Sequence, residues 1–90
     1  MSDVLVTSSG TMREISPMNG EYYKLHEMQY YVGGYIETVN VGNGKVLVMD
    51  EEGKLKGKLP NKIATVWLLT EGINDWIAGD AILIDRKHIK

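Results

Sequence analysis

The chain contains no cysteine and no phenylalanine. The first absence excludes disulfides and thiolate metal sites as sources of stability. The second leaves aromatic packing to five tyrosines and two tryptophans. A buried tyrosine needs a partner for its hydroxyl, so several of these rings are expected to reach the surface. Arginine occurs only at Arg13 and Arg86. With a formal charge of −2, the chain has no general attraction for nucleic acid or an anionic membrane. No apolar run approaches the roughly 20 residues that span a bilayer. Met1-Ser2-Asp3 carries neither a basic nor an apolar leader region, so no signal peptide is expected.

Ninety residues suffice for one domain, spanning 1–90, with loose ends expected at about 1–2 and 86–90. A chain of this size buries roughly 60–65% of its unfolded surface, so its core is modest. No repeat or low-complexity segment interrupts it.

The stretch from Tyr23 to Glu37 organises the rest. Leu25, Met28 and Val32 recur at helical spacing, and His26 and Tyr30 share a second face. Lys24 offers no acceptor as an N-cap, but Glu27 fits half of a capping box. Tyr23 and Met28 are placed to form a hydrophobic staple. Gly33 suits a left-handed helix end, and Gly34 allows a sharp turn into a strand.

Val4-Leu5-Val6 reads as a short strand, Ser8-Ser9-Gly10 as a turn, and Thr11 to Ser16 as the returning strand. Asn43-Gly44 lies between β-rich runs and marks a hairpin of Tyr35–Val41 with Lys45–Asp50. A two-residue turn there pairs Val39 with Val48 and Glu37 with Asp50. The valines then form a buried face, while Leu47 and Met49 lie on a half-exposed one. Lys54, Lys56 and Lys58 alternate, so on a strand they would share one face. Asn61 is a good N-cap for a helix to about Leu69, with Gly72 beyond its end. Its inner face is expected from Ile63, Val66, Trp67 and Thr70, and a strand remains an alternative there. Ile73 to Ala78 reads as a loop, and Ala81 to Ile84 as a buried strand.

Catalytic residues are not apparent. His26 falls on a helix and His88 in the tail, and no nucleophile elbow or metal-binding spacing surrounds either. Glu37 and Asp50, if cross-strand neighbours, form an acidic hairpin end. The Lys54/Lys56/Lys58 stripe could contact phosphate, although edge lysines also guard sheets against aggregation. Tyr30, Tyr31 and Tyr35 form the candidate partner surface, because tyrosine combines contact area with a polar tip.

Several stretches together resemble the family known as domain of unknown function 3846. They are Leu25–Gln29 with Val32–Glu37, Asp50–Leu55, Leu59–Asn61 with Ala64-Thr65, and Asp75–Ile77 with Gly79–Ile84. The chain departs from the family at Lys24, where a capping Ser or Thr is usual. The resemblance implies a phage, prophage or other mobile-element origin in a bacterial host, and the lack of a leader or spanning run makes a cytoplasmic setting the expectation. It implies no catalytic residues.

The expected architecture is α+β: a mainly antiparallel sheet of about five strands with two short helices packed on one face. The expected function is that of a non-catalytic accessory module binding a host protein, without cofactor or metal. A homodimer remains open. The alternatives are an oligomer sequestering a nucleotide or other small molecule, and weak nucleic-acid binding through the lysine stripe.

Overall fold

The computed structural model describes residues 2–90; the expectation for a loose Met1 lies outside the described residues. Five strands form an antiparallel sheet: β1 (Asp3–Val6), β2 (Met12–Ile15), β3 (Ile36–Asn40), β4 (Lys45–Asp50) and β7 (Ala81–Asp85). Their order is β2-β1-β7-β4-β3. A two-stranded ribbon pairs β5 (Pro60–Asn61) with β6 (Ile77–Ala78). The helices are α1 (Leu25–Val32) and α2 (Lys62–Thr70). Among the described residues, no helix is long and apolar enough to cross a membrane.

The sheet has an apolar layer on each face. On one, Met28 and Val32 of α1 and the Tyr23 ring pack with Val46, Val48, Ile82 and Ile84. On the other, Ala64 and Leu68 of α2 pack with Leu47, Met49, Ala81 and Leu83. The helices therefore cover opposite faces of the sheet, not one face as expected. The cause is visible in β4 and β7. Successive side chains of a strand point to opposite faces, so the unbroken runs Val46–Met49 and Ala81–Ile84 require cover on both.

The β3–β4 hairpin forms, but its register is shifted by one residue. Val39 pairs with Leu47, Thr38 with Val48 and Ile36 with Asp50. Gly42, Asn43 and Gly44 all have positive φ, at 84°, 53° and 70°. Lys45 N–H donates to Gly42 O at 2.9 Å, and Val41 N–H donates to Lys45 O at 3.1 Å. Lys45 thus faces both Val41 and Gly42, and the extra glycine forms a bulge. A one-residue slip exchanges faces. Leu47 and Met49 are accordingly buried, and Val39 lies on the face opposite Val48. Glu37 faces Met49, so the proposed Glu37–Asp50 pair does not exist.

Helix α2 starts at Asn61 as expected. Its side-chain oxygen accepts Ala64 N–H at 3.1 Å, while its Nδ2 donates to Val6 O and Gly79 O, both at 2.9 Å. This fully buried amide therefore fastens α2 to the sheet. The inner face is built on Ala64 and Leu68, with Trp67 beside them, whereas Val66 is exposed. The β-branched residues suggested the wrong stripe, because small Ala64 permits the close approach. Trp76 immediately precedes β6, a strand not anticipated in that loop.

The C-terminal tail is docked rather than loose. Arg86–His88 forms a 3-10 turn, and His88 O accepts Tyr23 N–H at 2.8 Å.

Candidate functional site

Glu27 helps to build a largely apolar groove beside α1. One carboxylate oxygen accepts Lys24 N–H at 3.0 Å, completing the acidic half of a capping box. The other accepts Met18 N–H at 3.0 Å, holding the loop before α1 against the helix. The Lys24 N–H, followed by the Met18 N–H, keeps the Glu27 carboxyl below its usual range despite its burial. Met18, His26, Tyr30 and Tyr31 then line a groove of about 320 Å³ with Glu27 at its base. Met18 is 76% exposed and Tyr30 82%. Tyr31 is half-buried, and its ring meets that of Tyr30 edge-on at 5.7 Å. Tyr35 is also exposed, but it lines a separate depression with Gln29, Gly34, Glu52 and Lys56. The three candidate tyrosines therefore do not form one continuous site. Leu25, expected on the inner face of α1, is exposed in its first turn.

The lysine stripe is not a strand. Residues 51–57 fold as successive turns, which separate Lys54 from Lys56 and Lys58. Lys56 and Lys58 reach Asp50 Oδ2 at 2.9 and 2.6 Å. Lys58 also donates to Val32 O at 2.8 Å, and Lys56 to Gly33 O at 3.3 Å. The two cations thereby neutralise a buried carboxylate and complement the negative end of α1. Burial pushes the Asp50 carboxyl up, but hydrogen bonds from Lys58, Lys56 and Glu52 N–H outweigh it and hold the pKa at about 2. Gly34 lies over this group. A Cβ there would stand 2.8 Å from both Asp50 carboxylate oxygens.

Lys54 instead pairs with Asp75 at 2.5 Å and lies 4.7 Å from the Trp76 ring centroid. Its hydrogen bond, then that of Trp76 N–H, lowers the Asp75 carboxyl. The adjoining cleft of about 250 Å³ includes Glu37, Glu51, Asp75 and Trp76. Its carboxylates disfavour the phosphate of a nucleotide. Among the described residues, no three His, Asp or Glu side chains group so as to hold a metal ion.

The remaining polar centre is structural in geometry. Asp3 accepts the Tyr23 hydroxyl at 2.8 Å and His88 Nδ1 at 2.6 Å on one oxygen. Its other oxygen accepts Asp85 N–H at 2.8 Å. Burial, then the hydrogen bond to Asp3, raises the Tyr23 hydroxyl well above the normal tyrosine range.

The family model described as Domain of unknown function (DUF3846) matches residues 1–89. The chain belongs to this family. No curated protein and no solved structure matches it.

In this DUF3846 member, two elements of the surface leave no complete signal in the sequence: the contribution of Met18 and the double role of Glu27. The Glu27 signal was partly present as a capping box. Its bond to Met18 spans nine positions and leaves no local pattern.

Proposed function

We propose that this protein is a non-catalytic binding module that docks a partner protein on the α1 face. The observation that carries this reading is the Met18–Tyr30–Tyr31 groove, which faces solvent with a nearly apolar lining. Contiguous apolar surface rimmed by polar groups is the kind of surface that interaction sites use. Tyrosine rings supply broad contact at low conformational cost, and methionine adapts to the shape it meets. The groove fits one or two apolar side chains projecting from a partner. The mobile-element origin implied by the family resemblance makes a host protein the partner class.

The test compares wild-type chain with Tyr30→Ala and Met18→Ser as baits in bacterial lysate. It is followed by calorimetry with the purified prey. A host protein retained by the wild type, with affinity reduced at least about tenfold by either substitution, supports the reading. Tyr30→Ala should alter unfolding free energy by no more than about 0.5 kcal/mol, since its ring is exposed. Equal binding by all three baits, or unfolding of Tyr30→Ala, overturns it.

A further inference from the structure

The sheet ends in two unpaired edges, β2 and β3. Their outward backbone groups can be identified from the ladders. Val41 N–H donates to Lys45 O, and Glu51 N–H donates to Tyr35 O. Odd-numbered residues of β3 therefore bond to β4, while Ile36, Thr38 and Asn40 turn their N–H and C=O groups away from it. By the same argument, Thr7 N–H donates to Thr11 O, leaving Met12 and Glu14 outward on β2.

A second copy can join either edge antiparallel about a two-fold axis, but outward residues must face outward residues. On β2, an axis at either central residue opposes Arg13 to Arg13 or Glu14 to Glu14. Like charges directly opposite are unfavourable. On β3, an axis through Thr38 pairs Thr38 with itself and Ile36 with the partner's Asn40. Glu37 then faces the partner's Val39, not the partner's Glu37. Three outward pairs supply about six hydrogen bonds between the copies. Ile36–Asn40 also contains none of the lysines, prolines or bulges that commonly blunt an edge.

We propose that β3 is a self-association edge, where two copies pair antiparallel about Thr38 to form a continuous ten-stranded sheet. This surface is separate from the α1 groove, so the two readings stand or fall independently. The axis makes a distinctive demand: residue 38 meets its own copy with Cα atoms about 5.5 Å apart.

Native mass spectrometry and sedimentation of the untagged chain test the pairing. The wild type and Thr38→Val should be dimeric. Thr38→Lys and Thr38→Glu should each lose the dimer, and their equimolar mixture should recover it as a heterodimer. Circular dichroism checks that each variant is folded. Independently of any variant, exchange of the Ile36, Thr38 and Asn40 amides should slow as wild-type concentration rises. A wild type that stays monomeric at its solubility limit overturns the proposal. So does a dimer that survives both charged substitutions, a mixture that fails to pair, or edge amides that exchange at a concentration-independent rate.

Discussion

The imidazole Nδ1 of His88 lies 2.6 Å from Asp3 Oδ2, joining residues 85 positions apart. Tyr23 supplies a second donor to the same oxygen. His88→Ala removes one donor from a buried carboxylate and frees the last turn. Its unfolding free energy in urea should fall by about 1–3 kcal/mol. Tyr23→Phe, which keeps the ring, should cost about 1 kcal/mol. An unchanged urea midpoint in His88→Ala would show that the contact contributes no net stability.

Asp50 makes stability depend on acid. Its folded pKa of about 2 lies below the ordinary aspartate value, so its contribution is present above the unfolded pKa. It is lost as pH falls from about 5 through the folded value. The full effect is on the order of 2 kcal/mol. Asp50→Asn should lower stability by a similar amount at neutral pH and flatten part of the acid limb. The difference between the two urea-midpoint profiles isolates this group from Glu27, Asp75 and Asp85, whose carboxyls are also lowered.

Gly34 is needed for space. Alanine there would press its methyl group against the Asp50 carboxylate and the Lys56 ammonium. Thermal and urea unfolding should show a loss of about 1–3 kcal/mol. Stability equal to wild type would mean that the ion group can shift without cost.

Asn61 is both cap and tether. Asn61→Ala removes the bond from Ala64 N–H and strands two buried carbonyls, at a cost of about 3 kcal/mol. Asn61→Asp retains a capping oxygen but loses the Nδ2 donor and turns negative charge toward Val6 O and Gly79 O. It should therefore fail to restore stability. Full rescue by aspartate would assign Asn61 a capping role alone.

Local chemistry carried much of the fold. The Asn43-Gly44 turn, the Gly33 helix end and the Asn61 cap all stand where their side chains or backbone freedom demand. The failures lie in longer couplings. Gly42 adds one bulged residue, which exchanges the faces of the hairpin and separates Glu37 from Asp50. The unbroken apolar run of β7 already called for cover on both faces, and α2 supplies the second. Alternating lysines imitated a strand because period-two spacing also survives in consecutive turns. Their real partners, Asp50, Asp75 and the end of α1, are set by tertiary placement. In the sequence Tyr30 is marked by its place among clustered tyrosines, which leaves its exposure open, whereas Met18 joins that surface through a bond no periodicity encodes.

The last strand, β7, occupies the middle of the sheet, between β1 and β4. Each hairpin can assemble from neighbours in sequence, but the two halves have no common ladder until β7 inserts between them. Pairing strands so far apart in sequence costs more closure entropy than forming a local hairpin, and is slower for that reason. During synthesis the chain must therefore remain as two separate half-sheets, each with an open edge, until β7 has been made. Truncation within β7 should be far more aggregating than loss of an equal length from β2, because it exposes two interior edges at once.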